Sequence, residues 1–179
     1  MTGPETAPQT AETGVNDVID HLANVAPGSP VAELRAERPA LTRFSQASYV
    51  SLFEPENDNG LSRKERDLVA LRVALLTPDE RLARWHEDRL AADSGTMATV
   101  SAVSAFPAVS PELTPREVAI LRHTDLVTQR PVDAEPSDVE ALRTAGLSTR
   151  EIVTLSQLIG FLAYEVRVLA ALRALGDPA

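Results

Sequence analysis

Leu61 to Leu90, LSRKERDLVALRVALLTPDERLARWHEDRL, decides the fold of this chain. Two helix starts follow one another in it. At Leu61-Ser62-Glu65 and again at Leu76-Thr77-Glu80, a hydrophobic residue precedes a hydroxyl residue, and Glu stands three positions after the hydroxyl. In such a capping box the hydroxyl accepts from the Glu amide while the carboxylate reaches back to the cap amide. The residue in front staples onto the first turn. The stretch therefore predicts two helices, over 62–76 and 78–93, joined by a short turn.

The same device recurs at Leu113-Thr114-Glu117 and Leu147-Ser148-Glu151, and Pro136-Ser137-Glu140 lacks only the leading apolar residue. These starts predict helices over 115–129, 137–145 and 149–174, with Gly95, Gly146 and Gly176 as stops. Upstream, Val15, Val18, Ile19, Leu22 and Val25 form a helical stripe that ends at Pro27-Gly28. Ser29-Pro30 supplies an N-cap and a first-turn proline for a short second helix. Pro39 to Phe53 makes a third, with Leu41, Phe44, Ala47 and Leu52 as its buried candidates and Ser48 the polar residue on that arc. EPENDNG, residues 54–60, is a loop, because Pro, Asn, Asp and Gly all disfavour helix continuation. Thr96 to Phe106 is weakly patterned and is taken as a short helix. No alternating stretch argues for a strand. The first and last capping boxes head related patterns, a weak signal of internal duplication, most of which two well-capped amphipathic helices produce without common descent.

The fold class is thus all-α, with about eight helices. At 179 residues there is room for one domain with a sizeable core, assigned to 15–179 behind a disordered tail over 1–14. Ala, Leu and Val dominate the 44% hydrophobic content, as packed helices require. A formal net charge of -9 argues against nucleic acid and anionic membranes as partners. No membrane span and no secretory signal are visible, so the cytoplasm is the expected compartment. The chain has no cysteine. That excludes disulfides, thiolate metal sites and thiol nucleophiles.

Several residues of the opening stretch carry charge where apolar packing is expected. On a helical wheel Glu65 and Arg72 fall within the arc of Leu68, Val69, Leu71, Leu75 and Leu76, which favours a structural charge network over catalysis, because a lone buried charge is very costly. Asp79 and Glu80 suit the positive end of the next helix on dipole grounds alone. His86 lies two turns in, between Trp85 and Glu87. His86-Glu87 fails as a zincin motif because position 90 is Leu90. His21 reads as a partly exposed helix residue and His123 as a core residue.

The pattern L-S-x-x-E-R-x-L-V-A-L-R-V-A, followed by a helix carrying a histidine, resembles the carboxymuconolactone decarboxylase and AhpD-like alkylhydroperoxidase domain family. LSTREIVTLSQLIGFLAYEVRVLAAL is similar to the closing helix of its peroxidase-related members. The resemblance covers most of residues 40–175 and implies a multi-helix orthogonal bundle that assembles as trimers or hexamers. In the peroxidase branch a CxxC pair starts a helix, a histidine follows four residues after the second cysteine, and a relay glutamate precedes the first by twelve. With His86 on the family histidine, Asp79 and Leu82 fall on the cysteines and Asp67 on the glutamate. Thiol peroxidase activity is therefore not expected.

What the resemblance leaves is a cysteine-free acid/base site of the decarboxylase kind, with His86 and Asp67 as its core and Asp79 joining if the helices converge. Trp85 and Tyr164 are candidates to wall an apolar pocket, and Arg72 or Arg167 to hold a substrate carboxylate. No cofactor is expected. A metal held by Asp67, Asp79 and His86 is the least favoured reading. The alternative is a non-catalytic homo-oligomer that binds a small ligand or serves as a scaffold, with His86 only satisfying an interhelical hydrogen bond. Convergence of Asp67, His86 and Asp79 on a pocket within hydrogen-bond or one-water reach favours the enzyme; if His86 is packed away or faces bulk solvent, that reading largely fails.

Overall fold

The computed structural model describes residues 17–94 and 96–176, so the expected tail over 1–14, Val15 and the stop at Gly95 lie outside the described residues. Nine α-helices are present among them: α1 (Val18–Ala23), α2 (Pro30–Ala36), α3 (Pro39–Phe53), α4 (Arg63–Leu75), α5 (Glu80–Ser94), α6 (Met97–Ala105), α7 (Pro115–Gln129), α8 (Pro136–Thr144) and α9 (Thr149–Gly176). A 3-10 turn, Pro131–Asp133, links α7 to α8. No strand occurs among the described residues, and the all-α class holds. The chain groups into two compact units, one of residues up to Pro55 with those from Arg167 on, the other Glu56–Val166.

In the first unit, α1 is capped by Asp17, whose side chain accepts from the Asp20 amide, and α2 by Ser29, whose hydroxyl accepts from the Ala32 amide. Arg35 pairs with both Asp17 and Asp20. α3 differs from expectation. Leu41 and Phe44 are exposed, Phe44 by 60%, Ala47 is exposed and Leu52 is only half-buried. The buried face is Ser45, Gln46, Tyr49 and Phe53. Two forces turn the helix this way: the Tyr49 and Phe53 rings stack at 4.8 Å, and Gln46 Oε1 accepts from the buried Val18 amide at 2.9 Å. Counting aliphatic residues favoured the other face because it ignored a glutamine able to satisfy a backbone donor.

The second unit is built around α4. Glu65 to Ala74 are all buried, so α4 is enclosed by α5, α6 and α7 and does not show the single apolar face expected of it. Leu68, Leu71, Leu90, Val103, Phe106 and Leu121 form its core. Three of the five capping boxes form. Ser62 with Glu65 starts α4, Thr114 with Glu117 starts α7, and Ser148 with Glu151 precedes α9. The other two are corrected. Thr77 donates its hydroxyl to the Ala74 carbonyl at the end of α4, and Asp79 caps α5 by accepting from the Leu82 amide at 3.0 Å. At α8 the box is Glu135 with Asp138, two residues ahead of the expected pair, because Pro136 takes the first helical position, where its missing N–H costs nothing.

One arginine ties the three good caps together. Arg116 Nε lies 2.6 Å from Glu65 Oε1 and its Nη2 2.8 Å from Glu151 Oε1, while the guanidinium also donates to the Gly146 and Gly60 carbonyls. Lys64 reaches Glu117 at 2.8 Å. Gly60 is required at this junction: its φ is +86°, and a Cβ there would stand 2.8 Å from the Glu151 carboxyl.

Candidate functional site

Three helices of the second unit bring together three buried ionisable groups and one half-buried arginine. α5 contributes His86 and Arg89, one turn apart and so on one face of the helix. α4 contributes Asp67, and α9 contributes Glu165. His86 and Glu165 are both 0% exposed, with Nε2 of His86 4.0 Å from Oε2 of Glu165. Both Glu165 oxygens are buried, and neither accepts a hydrogen bond among the described residues. Asp67 is buried as well; its Oδ1 accepts from Arg89 Nε at 3.0 Å, and its Oδ2 has no hydrogen-bond partner among the described residues.

Burial governs the protonation of this cluster. It pushes the Glu165 carboxyl up to about 8, helped by the Asp79 carboxylate and opposed by Arg89. It pushes His86 down to about 3, and Arg89 adds to that. Asp67 rises to about 6, again by burial, with Arg89 pulling it back and the Asp93 carboxyl pushing it further up. At neutral pH the His86 and Glu165 pair therefore holds one proton, on the carboxyl, while Asp67 and Arg89 face one another as an ion pair. The four groups together carry no net charge. Proton exchange across 4.0 Å needs only a small approach of the two side chains, or a substrate atom between them.

The remaining sequence candidates are distributed as follows. Asp79 caps α5, and its charge acts on Glu165. Leu82, the other position on the family's cysteine pair, is fully buried. Asp67 makes its hydrogen bond to Arg89, and none to His86. Glu65 is held by Arg116 in addition to its cap. Arg72 clamps Asp125 on α7 bidentately, at 2.6 and 2.8 Å, and its guanidinium lies over the Phe106 ring at 5.2 Å. Those two residues are bound in separate interhelical pairs rather than in one network. Trp85 is half-buried; Tyr164 is 42% exposed and lies against Phe161. Arg167 is exposed and belongs to the first unit. Among the described residues no three His, Asp or Glu side chains are grouped as a metal ion needs.

Glu165 and Arg89 escaped the sequence reading, although both leave a trace. On α9, Leu155, Leu158, Leu162, Glu165 and Leu169 follow a 3-4-3-4 spacing, and all are buried. A lone acid on such a stripe is committed to the interior by its neighbours. Arg89 stands three residues after His86, where a helix places a side chain on the same face.

No family model and no curated protein matches the chain. Solved structures with the same fold do. One is an uncharacterised peroxidase-related protein from Silicibacter sp. TM1040, 21% identical, with a TM-score of 0.65 over 96% of this chain and 92% of that one. Another is a protein of unknown function from Agrobacterium tumefaciens, described provisionally as the antioxidant defence protein AhpD. It is 21% identical, with a TM-score of 0.68 over 82% of this chain and 97% of that one. At this identity the likeness extends to the AhpD-like helical fold.

Proposed function

We propose that this is a cysteine-free member of the carboxymuconolactone decarboxylase and AhpD-like group, in which the buried His86 and Glu165 pair moves a proton to or from a small uncharged carbon acid or lactone. The supporting observation is the Glu165 carboxyl: fully buried, without a hydrogen bond, and 4.0 Å from a fully buried imidazole. A carboxyl in that state costs stability that a leucine at the same place on the stripe would not. A carboxyl kept at such a cost, its titration raised to about 8, is characteristic of sites that handle protons. Glu165 serves as the proton donor, His86, held neutral by burial, as the hydrogen-bond acceptor facing it, and Arg89, balanced by Asp67, sets the local field.

The uncharged cluster favours an uncharged substrate, since an anion would meet only an arginine already matched by a carboxylate. The protein acts without a thiol, so peroxide reduction by a cysteine pair is not its chemistry. Assembly into a trimer or hexamer is part of this proposal and is supported by Leu34, Leu41 and Phe44, large apolar side chains left exposed in the first unit. The cytoplasm is the compartment proposed.

The complete burial of His86 counts against the acid/base reading and favours a second one, a homo-oligomeric binding or scaffold protein that keeps the fold without catalysis. Solvent deuterium incorporation into a panel of small ketones, aldehydes and lactones separates the two. The acid/base reading expects incorporation at the carbon next to a carbonyl, falling by about two orders of magnitude in E165Q and in H86Q. Incorporation that is equal in wild type and E165Q, or no greater than in buffer, supports the scaffold instead.

A further inference from the structure

α3 exposes one stripe along its length. Leu41, Phe44, Ser48 and Ser51 recur at spacings of three, four and three, with Ala47 beside them, and all are exposed, Leu41 by 59% and Phe44 by 60%. That spacing is the seam of a two-helix coiled coil. Side-chain size changes along it: Leu and Phe stand on the amino half, Ala and Ser on the carboxyl half. Ser48 Oγ donates to the Phe44 carbonyl at 2.8 Å, so its proton is engaged within the helix and the side chain offers a small surface. The Arg43 guanidinium lies 5.1 Å from the Phe44 ring centre and leaves most of that residue uncovered.

We propose that this stripe is the contact between two copies of the chain, their α3 helices antiparallel about a two-fold axis beside Ala47. In that pairing Phe44 lies on the partner's Ser48 and Leu41 on the partner's Ser51, and the two-fold repeats both contacts. Each layer then joins a large residue to a small one. A parallel pair would set Phe44 on Phe44 and Ser48 on Ser48, crowding one layer and leaving a gap in the next. Charge favours the same arrangement. At the amino end of α3, Arg38 and Arg43 against Glu37 leave +1, and this end stands level with the partner's carboxyl end, which carries the -1 of half-buried Glu54. Opposite ends of the two helix dipoles adjoin as well. Leu41 and Phe44, marked for burial by their sequence, are thereby covered by a second copy instead of by the core of their own unit. The inference names the contact behind the assembly proposed above and rests on that assembly, not on the acid/base chemistry.

The test is sedimentation equilibrium of the full-length protein, with circular dichroism to verify that each variant is folded. A dimer or a multiple of dimers is expected. F44E, a change at an exposed position, is expected to weaken the two-fold contact by about a hundredfold or more, halving the number of subunits. S48F adds apolar surface but fills the place of the partner's Phe44, and is expected to weaken association by about tenfold. The chain has no cysteine, so A47C supplies one thiol per copy beside the axis. A short bismaleimide should join A47C into covalent dimers about tenfold faster than V132C, whose site is 92% exposed on the other unit. A monomer at all concentrations would overturn the contact and the assembly together. A trimer, or an assembly that F44E leaves intact, would overturn the contact and spare the assembly. Tighter association by S48F, or cross-linking of A47C no faster than that of V132C, would overturn the antiparallel pairing.

Discussion

Nε2 of His86 faces Oε2 of Glu165 across 4.0 Å, with neither residue reached by solvent. This relationship carries a pH signature. Glu165 is raised from 4.5 to about 8, so the folded state holds a proton there that the unfolded state has released; its contribution is fully present below 4.5 and is lost as pH rises through 8. Asp67, raised from 3.8 to about 6, acts with the same sign at lower pH. His86, lowered from 6.5 to about 3, has the opposite sign, and its contribution is complete above 6.5. Between pH 6.5 and 8 only Glu165 among the three still changes. Stability measured by denaturant unfolding should therefore fall by about 2 kcal/mol across that window. In E165Q the fall should disappear.

The Asp67 and Arg89 pair predicts an asymmetric mutational response. R89M leaves the Asp67 carboxylate buried and uncompensated, and should cost about 3 to 5 kcal/mol. The double variant D67N/R89M removes both charges and should recover part of that loss. Thermal or urea unfolding of the single and double variants reads the difference directly, and a double variant no more stable than R89M would show that packing rather than charge dominates.

From the first turn of α7, Arg116 is placed to stabilise two other helix starts at once, those of α4 and α9, through Glu65, Glu151 and the Gly60 and Gly146 carbonyls. R116A should lower stability by about 2 to 3 kcal/mol, more than the loss of a surface ion pair. Hydrogen exchange should quicken at the first turns of α4 and α9 together. Faster exchange at only one of them would mean that the bridge does not couple the two caps.

Asp79 occupies the cap of α5, so D79A should cost about 1 kcal/mol through the lost cap. Because its charge also helps to hold Glu165 protonated, the same substitution should lower the Glu165 titration point, visible as a shift of the stability decline to lower pH.

A peroxide assay with a dithiol donor should detect no enzymatic turnover, since no thiolate is available to attack the peroxide oxygen. Turnover that required His86 would show that peroxide is handled by chemistry outside this account.

Helix starts were legible because each is a local contest among a few backbone donors. Ser62, Thr114, Ser148 and Ser29 all cap as their spacing indicates. Where two side chains compete for one end, local reading fails: Asp79 displaces Thr77 as the cap of α5, and Glu135 displaces Ser137 at α8. Facing is harder still. α3 turns Leu41 and Phe44 outward because Gln46 meets a backbone donor of α1, a contact that no periodicity within α3 contains. The same limit hid the carboxyl opposite His86. His86 stands out as the histidine of the central stretch, whereas Glu165 comes from the last helix and is marked only by its place on an apolar stripe.

The protonated state of Glu165 at neutral pH is the property on which the account rests. Infrared spectroscopy in D2O, compared between wild type and E165Q, reports it through the carbonyl stretch of the buried carboxylic acid. The account predicts a protonated carboxyl band at pH 7 that fades as pH rises through about 8 and is missing from E165Q. A wild-type spectrum at pH 7 without that band, with His86 titrating as an ordinary exposed histidine, would contradict it.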